Sequence, residues 1–370
     1  MAQTIGIVGL GTMGLGIAQV YAQAGFTVLA TDAHAPTCDS AHDRLSATLT
    51  KRVEAGKLAE QDRDATLSRL NVVASVDELA PCDLVIEAIV EKLAAKQALF
   101  AGVERVVSPG AVLATNTSSL SVAAIANGLA HPGRLLGLHF FNPAPVMRLV
   151  ELVAHPGTDP DALTLARSVT EAAGKTVIQC PDRPGFIVNR CARPYYGEAL
   201  ALLEDGRTAP DIDAAMVAAG YPIGPFALID LIGADINLAA TEGLHAAMGG
   251  HPRYHVFDAL RAQVASGALG RKAGRGFITI PAPPPADAAA IALRIEAALI
   301  NEAAFLHADG VPKADIDTAM TLGLNFPRGP FAALAAHGTA RILSTLAALE
   351  SAAPSHLKSR YLPAPGLDTA

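Results

Sequence analysis

Residues 4–14 read TIGIVGLGTMG, a short apolar run that stops at a glycine-rich turn. The run is rich in β-branched residues, as buried parallel strands are. The turn that follows carries three glycines in the pattern GxGxxG: Gly9, Gly11 and Gly14. A helical pattern then extends to Ala24, and a second apolar run over residues 26–31 ends at Asp32. Dinucleotide binding requires a particular order of elements within about 30 residues. This stretch has that order: a strand, a glycine turn, a helix and a second strand that ends in an acidic residue.

The glycines and the acidic residue predict how such a ligand is held. The first glycine permits the tight turn, the second lets a pyrophosphate approach the backbone, and the third lets helix and strand pack. The helix N-terminus offers amides and a positive dipole end to the phosphates. Asp32 can accept hydrogen bonds from the ribose hydroxyls, and no arginine beside Ala33 and His34 is placed to bind a 2′-phosphate. We therefore expect NAD rather than NADP, with a glycine turn that holds no ligand as the alternative.

Strand and helix patterns continue to alternate through the first half of the chain. Further strand-like runs lie at residues 71–74, 84–89, 111–115, 135–141, 147–153 and 176–179. Regular alternation of this kind is typical of a parallel sheet with helices on both faces. The predicted fold is therefore an α/β, Rossmann-type doubly wound sheet that closes near residue 184.

From Gly185 onward strand signals largely vanish, helical periodicity takes over and an internal repeat appears. DIDAAM at 211–216 recurs as DIDTAM at 315–320, and the GPF that starts at Gly224 recurs at Gly329. A proline-rich stretch, PAPPPAD, separates the two copies. Repeated helical units usually pack on each other to bury a shared face, so we predict two tandem all-α domains. The predicted domain limits are residues 1–184, 185–280 and 288–362.

Composition limits the class of protein. The sequence has 370 residues, 51% of them hydrophobic, so several cores can form. The formal net charge of −7 argues against nucleic acid and anionic membranes as partners. The four cysteines are scattered without a CxxC pair, as is typical of reduced thiols in the cytoplasm. No signal peptide precedes the first strand, and no apolar run reaches the roughly 20 residues of a membrane span, so we expect a soluble cytoplasmic protein.

Residues 116–151 carry the candidate catalytic groups. A histidine is the natural general base for oxidising an alcohol near neutral pH, and it works best when a carboxylate holds its other ring nitrogen. His139 and Glu151 lie on consecutive predicted strands, which can be neighbours. A lone strand histidine is more often an ordinary core residue, but a glutamate inside the apolar run LVELV needs a partner. We therefore predict that His139 and Glu151 meet.

Two further polar positions fit the same chemistry. Asn116 and Ser118 follow a strand's carboxyl end, where open α/β sheets bind their ligands. The alternative for TNTSS is a helix N-cap, since serine and threonine are favoured there. Asn189 lies at the start of the first long helix of the second region and is an ordinary helix residue unless that helix faces the reaction.

A small basic cluster and a possible metal face occur near the end of the second strand. Lys51, Arg52 and Lys57 are either a solvated helix face or a clamp for an anionic substrate handle. His34, Cys38 and His42 recur every four residues, but no second ligand pair is evident. We expect no metal site.

Several motifs together make a resemblance specific. The chain resembles the 3-hydroxyacyl-CoA dehydrogenase family, including its bacterial 3-hydroxybutyryl-CoA members. The resembling motifs run in family order from residue 5 to about residue 280: GLGTMG, DLVIEAIVEK, TNTSSL, GLHFFNPAPVMRLVE, PGFIVNR, YPIGPFALID and GRKAGRGF. The resemblance implies NAD-dependent oxidation of a (3S)-3-hydroxyacyl-CoA to the 3-oxoacyl-CoA, or its reverse.

The resemblance also implies roles for single residues. It carries the active site of the family onto four residues: Ser118, His139, Glu151 and Asn189. It carries cofactor contacts onto seven residues besides the three glycines: Asp32, Glu91, Lys96, Asn116, Ser118, Asn142 and Lys272. For the substrate's CoA handle, Lys51 matches a basic position and Thr48 stands where a serine is common. We add Lys57 from the basic cluster, together with Ser118 and Asn189, to the predicted substrate contacts.

The second helical copy departs from the first at one informative position. Arg294 aligns with Arg190, which places Leu293 where Asn189 stands in the first copy. The second copy is therefore predicted to be structural. Short members of the family resemble homodimers joined through this domain, so the chain is expected to be either a monomeric pseudo-dimer or a homodimer. Two rival functions stay open: a dehydrogenase of a free hydroxy acid or sugar acid, in the style of gulonate dehydrogenase, and a non-catalytic NAD-binding scaffold.

Overall fold

The computed structural model describes residues 3–278, 280 and 282–369. Pro281, the first residue of the predicted linker, lies outside the described residues, as do the predicted domain limit at Met1 and Thr279, within the first predicted helical domain. The chain divides into two compact units, one that ends at Arg183 and one that begins at Pro184.

The first unit is built on one eight-stranded sheet. Its strands are β1 Thr4–Val8, β2 Thr27–Thr31, β3 Leu70–Val72, β4 Leu84–Glu87, β5 Val112–Thr115, β6 Leu135–Phe140, β7 Leu149–Ala154 and β8 Thr176–Pro181. Its α-helices are α1 Thr12–Gln23, α2 Ala35–Glu54, α3 Glu60–Arg69, α4 Leu93–Val106, α5 Val122–Ala126 and α6 Pro160–Ala172. The strand order is β3-β2-β1-β4-β5-β6-β7-β8, so the chain leaves β1 toward one edge and returns at β4 toward the other. Ligands of open α/β sheets bind at such a reversal.

Strands β1 to β6 are parallel, whereas β7 is antiparallel to β6 and parallel to β8. The short connection between β6 and β7 explains the change of direction, since parallel neighbours need a crossover of a dozen or more residues. In the β6–β7 register His139 lies directly opposite Glu151. The sheet therefore brings together the two residues that the sequence placed on consecutive strands.

The second unit is helical. Its α-helices are α7 Val188–Glu204, α8 Ala209–Ala218, α9 Pro225–Ile232, α10 Ala234–Ala247, α11 Asp258–Ala265, α12 Ala288–Ala308, α13 Lys313–Leu324, α14 Pro330–His337 and α15 Thr339–Ala352. The repeated motifs fall on equivalent elements, with the DID motifs on α8 and α13 and the GPF motifs at the starts of α9 and α14. The predicted fold class, a Rossmann-type sheet followed by tandem helical regions, is confirmed.

Each copy uses its repeated residues in the same way. Asp213 accepts hydrogen bonds from the first backbone N–H groups of α9, and Asp317 does so at α14. The glycine of each GPF motif makes the contact possible, because a Cβ on Gly224 would lie 2.3 Å from Cγ of Asp213. A Cβ on Gly329 would lie 2.2 Å from Cγ of Asp317. The sequence repeat is thus a structural repeat down to its helix caps.

The two copies pack through α7 and α12, and their ion pairs are reciprocal. Arg190 of the first copy donates from Nε to Glu302 of the second at 2.7 Å. The aligned pair runs in the other direction, from Arg294 Nε to Glu198 at 2.9 Å. Both glutamates are fully buried, so each needs its partner to stay charged. The two ion pairs between α7 and α12 therefore join the copies in both directions.

Over the described residues, no single helix has the length and apolar character to cross a membrane. One bent pair of helices, Pro330–His337 with Thr339–Ala352, meets those two criteria only when taken together, with a bend of 98°.

Candidate active site

The turn after β1 has the close packing that a phosphate-binding turn needs. Gly9 has a φ of +97°, and a Cβ there would lie 2.5 Å from the carbonyl oxygen of Ala88. A Cβ on Gly14 would lie 1.7 Å from the carbonyl oxygen of Gly9, so turn and helix approach too closely for any side chain. A Cβ on Gly11, by contrast, would meet no described atom within 4 Å. The residues present therefore fit a dinucleotide, with open space at the glycine where the pyrophosphate approaches the backbone.

The start of α1 and the end of β2 complete this part of the site. Helix α1 begins at Thr12, and none of the described side chains caps its first turn, so its amides remain available to phosphate oxygens. Asp32 accepts a hydrogen bond from the N–H of Leu10 at 2.7 Å and from that of His34 at 2.9 Å. These bonds orient the carboxylate, and an ionised carboxylate has further acceptor sites for ribose hydroxyls.

His139 and Glu151 form the central polar pair of the site. The Nδ1 atom of His139 lies 2.7 Å from Oε2 of Glu151, and both side chains are buried. An ionised carboxylate can only accept, so Nδ1 carries a proton, and the neutral ring in this arrangement is the tautomer whose Nε2 is an acceptor. The predicted meeting of these two residues is found in the structure. In this arrangement the ring of His139 can accept a proton at Nε2. The carboxylate of Glu151 then stabilises the imidazolium that forms.

The loop after β5 is held by Glu91. Its Oε1 atom accepts from the hydroxyl of Thr117 at 2.6 Å and from the backbone N–H of Ser118 at 3.0 Å. Ser119 donates to the same atom from its backbone and its side chain. Burial opposes the charge on Glu91, but the bond from Thr117 and the charge of Lys96 outweigh it, so its pKa lies below the usual range. Glu91 therefore acts as a charged clamp on the loop that carries Ser118.

The predicted N-cap alternative for this loop is realised by another residue. The hydroxyl of Ser121 accepts from the N–H of Ala124 at the start of α5. Asn116 takes a different part, since its Oδ1 accepts from the N–H of Phe140 at 2.8 Å and so joins the ends of β5 and β6.

Sequence reasoning did not single out Glu87, the last residue of β4. It accepts hydrogen bonds from Lys96 Nζ at 2.6 Å and from the hydroxyl of Thr115 at 2.7 Å. Lys96 also lies 3.2 Å from Oε2 of Glu91. A carboxylate at the end of the buried run DLVIE had the same signal as Glu151, because a buried charge needs a partner.

A cavity of about 310 Å³ lies between α1, α2 and the connection from β6 to β7. Thr48 and Asn142 line it, together with Arg52 of the predicted basic cluster and with Arg44, which was not predicted. The hydroxyl of Thr48 donates to the carbonyl of Arg44 within α2. Arg44, Thr48 and Arg52 are four residues apart and share a helix face, which is the signal that could have found them. Lys51 and Lys57 are exposed and do not line this cavity.

The wall of this cavity that contains Asn142 is fixed by Lys175. Its Nζ atom donates to the carbonyl oxygens of Ala144 at 2.5 Å and Met147 at 2.8 Å. Burial lowers the pKa of Lys175 to about 8.

Two predicted site residues belong to the second unit. Asn189 lies in the first turn of α7, and its carbonyl accepts from Arg193. Lys272 pairs with Asp235 at 2.7 Å, next to Gly233, where a Cβ would crowd both side chains. Within the described residues, no group of three or more histidine, cysteine, aspartate or glutamate side chains is arranged as metal ligands.

Comparison with known families decides the relationship. A model for the NAD-binding domain of 3-hydroxyacyl-CoA dehydrogenase matches residues 4–183, and a model for its C-terminal domain matches residues 185–280 and 291–368. The chain belongs to the 3-hydroxyacyl-CoA dehydrogenase family. Its C-terminal domain model matches both helical copies, as the internal repeat requires.

Relatives within the family differ in how much of the chain they share. A 3-hydroxyadipyl-CoA dehydrogenase of Escherichia coli is 45% identical over 74% of this chain, which spans only 58% of that relative. A 3-hydroxybutyryl-CoA dehydrogenase of Mycobacterium tuberculosis is 40% identical, and the match covers 75% of this chain and 98% of that one. A crystal structure of 3-hydroxybutyryl-CoA dehydrogenase from Escherichia coli has a TM-score of 0.92 at 34% identity, covering 100% of this chain and 98% of that one. The predicted family, enzyme class and cofactor are confirmed by these matches.

Proposed function

We propose that this dehydrogenase oxidises the 3-hydroxyl of a (3S)-3-hydroxyacyl-CoA to the 3-oxo group, reversibly, with His139 as the general base. The observation that carries the proposal is the 2.7 Å hydrogen bond between Nδ1 of His139 and Glu151, on directly opposed positions of β6 and β7. It sets the tautomer that a general base needs, in a chain that belongs to a family of hydroxyacyl-CoA dehydrogenases.

In the proposed reaction His139 takes the hydroxyl proton at Nε2. The imidazolium that results is stabilised by Glu151, whose negative charge is buried beside it. NAD, when bound, supplies the acceptor for the hydride that leaves C3 of the substrate. In the reverse direction His139 returns its proton to the oxygen of the reduced substrate.

The glycine turn, Asp32 and the start of α1 are the residues that we assign to the cofactor's adenosine and pyrophosphate. Their support is the open space at Gly11 and the carboxylate of Asp32, which Leu10 and His34 orient. We further assign five predicted residues to the cofactor site on the strength of the family resemblance: Glu91, Lys96, Asn116, Asn142 and Lys272.

We assign Ser118 and Asn189 to the substrate's hydroxyl and thioester oxygens. Hydrogen bonds to these oxygens would fix the near-attack geometry, in which reacting atoms lie about 3–3.5 Å apart. The clamp of Glu91 on the backbone of Ser118 supports a fixed position for that serine.

For the anionic CoA handle we favour the cavity beside α2. Arginine guanidinium groups bind phosphates with several donors at once, and Arg44 and Arg52 both line this cavity. Thr48 shares its wall, whereas Lys51 and Lys57 are exposed and would act at longer range.

The test is NADH formation from 3-hydroxybutyryl-CoA and 3-hydroxyadipyl-CoA by the wild type, His139→Ala and the control His131→Ala. General acid–base catalysis contributes about 10²–10⁴-fold, so His139→Ala should lose activity by that factor. His131 is exposed, and its replacement should leave kcat unchanged. Turnover of free hydroxy acids but of no CoA ester would overturn the substrate class. NAD binding without any turnover would favour the scaffold.

We further propose that residues 185–280 and 288–362 are two copies of one domain and that the second copy replaces a dimer partner. The reciprocal pairs of Arg190 with Glu302 and Arg294 with Glu198 support this, because they tie the copies together within one chain. Sedimentation equilibrium should then give the mass of one chain, and a tight homodimer would contradict the proposal. We also propose a cytoplasmic location, which the scattered cysteines support.

A further inference from the structure

Glu87 is a completely buried acidic group beside the predicted site. It is 0% exposed, and its two carboxylate oxygens accept hydrogen bonds from α4, from β5 and from the loop after β4. Oε1 accepts from Lys96 Nζ on α4 at 2.6 Å and from the N–H of Ile89 at 2.7 Å. Oε2 accepts from the hydroxyl of Thr115 at the end of β5 at 2.7 Å. A fully buried carboxylate is costly unless such partners satisfy it, so the arrangement calls for an explanation.

Lys96 connects this carboxylate to the loop of the site. Its side chain is 1% exposed, and its ammonium group lies between Glu87 Oε1 and Glu91 Oε2, at 2.6 Å and 3.2 Å. One cation is therefore shared by two carboxylates. The shorter contact is with Glu87. Because Glu87 holds the ammonium group, Lys96 lies further from the carboxylate of Glu91.

The other oxygen of Glu91 is the clamp on the loop. Oε1 receives the hydroxyl of Thr117 and the backbone N–H groups of Ser118 and Ser119. These hydrogen bonds can form only while the carboxylate of Glu91 points toward the loop. A lysine that was free to pair fully with Glu91 would compete with them for the same charge.

We propose that Glu87 is a positioning residue of the dehydrogenase reaction: by holding Lys96, it keeps Glu91 aimed at residues 117–119 and so fixes Ser118. The inference rests on the proposed function, since it gives Ser118 a part in binding the substrate. Beside the part in the cofactor site that we propose for it, Lys96 links the two carboxylates, and its buried ammonium group aligns the loop through them.

The variant that tests the alignment is Glu87→Gln. Glutamine keeps the shape and can still bond with Thr115 and Ile89, but it removes the charge that holds Lys96. Amide hydrogen exchange at Ser118 and Ser119 should become about tenfold faster, since the loss of one hydrogen bond is worth about that factor. This readout needs neither substrate nor turnover, so it remains informative if the proposed function fails.

Helix α4 offers a matched control. Glu104 clamps a different loop in the same way, with bonds from the N–H groups of Ala130 at 2.8 Å and His131 at 3.0 Å. It also pairs with a cation, Arg134, at 3.4 Å. Glu104→Gln should speed exchange at Ala130 and His131 alone, and Glu87→Gln should leave those two amides unchanged.

Kinetics then separate positioning from general damage. Glu87→Gln should lower kcat by about tenfold to a hundredfold, the effect of a small misplacement, with KM for the CoA substrate within about twofold. Glu104→Gln should leave kcat unchanged. In a Glu91→Gln background the clamp is already lost, so Glu87→Gln should reduce kcat no more than about twofold further.

Three results would overturn the inference. One is unchanged exchange at Ser118 and Ser119 in Glu87→Gln. Another is unchanged kcat in that variant, with only its melting temperature lowered. The third is a full additional loss of kcat in the Glu91→Gln background, which would mean that Glu87 acts independently of the clamp. A wild type that turns over no CoA ester, yet shows the expected exchange pattern, would instead contradict the proposed function and leave the alignment standing.

Discussion

The two helical copies of the second unit have equivalent contacts where they pack together, but they differ around the position of Asn189. Both keep the arginine and glutamate that pair across α7 and α12, and both keep the aspartate that caps the helix of the GPF motif. Even the flanking groups correspond. Arg253 and Tyr254 bond to Glu302, and Arg360 and Tyr361 bond to Glu198. The contacts that join the copies are thus the ones that are repeated.

The differences gather around the residue that aligns with Asn189. The second copy has Leu293 there, and Glu296 where the first copy has Ala192. Glu296 is buried and bonds to Arg328 and His337, whose counterparts in the first copy are Ile223 and Ile232. A polar network therefore fills positions that are apolar in the first copy.

Two exposed residues of the first copy are likewise apolar where the aligned residues of the second copy are polar. Ile232 and Ile236 of the first copy are exposed apolar side chains, and the aligned residues of the second copy are His337 and Arg341. Exposed apolar side chains often mark a surface that a ligand or another protein surface covers. Charged side chains are compatible with a surface that faces water. The two copies therefore share the contacts that join them and differ at the positions around Asn189 and Leu293.

The largest expected effect comes from breaking one of the reciprocal ion pairs. Arg190→Met leaves the fully buried Glu302 with fewer donors, and removing one partner of a buried pair destabilises by about 3–5 kcal/mol. The Arg294 side chain is 20% exposed, so water can replace part of what Arg294→Met removes from Glu198. We expect a smaller loss there, about 2 kcal/mol, the scale of one hydrogen bond to a charged group. Urea unfolding measures both.

A double variant checks the cause of this loss. In Arg190→Met the buried Glu302 keeps Arg253 as a partner but has lost its shorter ion pair. Adding Glu302→Gln removes this less compensated charge, so part of the stability should return. Equal losses for Arg190→Met and Arg294→Met, without recovery in the double variant, would mean that packing rather than buried charge holds the copies together.

Much of the first unit was predictable because its elements are local patterns. Strands such as β1 and β4 are short apolar runs that end at a glycine or an acidic residue, and the structure places them within a few residues of the prediction. The meeting of His139 and Glu151 was predictable for a further reason. The two strands are joined by a connection too short for a crossover, so they had to be neighbours.

Other parts of the site depend on contacts between distant segments and left weaker signals. Glu87 and Glu91 meet Thr115 and Thr117, which lie 28 and 26 residues further along the chain, only because β5 pairs with β4. The cavity beside α2 needs the packing of two helices against the β6–β7 connection, so the spacing of Arg44, Thr48 and Arg52 indicates a shared helix face but not that this face lines a cavity. Side-chain partners across such distances follow from the assembled fold, which periodicity alone does not give.

A second prediction concerns Asn189 and Leu293, the aligned residues that differ between the copies. Asn189→Leu gives the first copy the residue of the second and removes a proposed hydrogen bond to the substrate. Loss of one donor of this kind lowers kcat by about 10²-fold, or roughly 2.7 kcal/mol, so kcat/KM should fall by about that factor. The measurement is NADH formation with a 3-hydroxyacyl-CoA.

The reverse exchange, Leu293→Asn, is the control. It restores the aligned asparagine to the second copy, where Glu296 and its partners occupy the neighbouring positions. Activity should stay at the wild-type level, and the double variant should be as inactive as Asn189→Leu. Recovery of activity in the double variant would show that the second copy can still serve the reaction.

The smallest expected effect concerns Asp213, the capping aspartate of the first copy. Burial raises the pKa of Asp213 to about 6, although the N–H groups of Phe226 and Ala227 favour its charged form. An aspartate in the unfolded chain titrates near 3.9, so between about pH 4 and pH 6 only the folded state keeps the proton. The stability that Asp213 contributes is therefore full below about pH 4 and is lost as the pH rises through about 6. Asp213→Asn removes this titration, so its stability relative to the wild type should rise by about 1–3 kcal/mol from pH 4 to pH 7. Urea unfolding of Asp213→Asn and the wild type across this pH range measures the difference, and a difference that stays flat with pH would contradict the prediction.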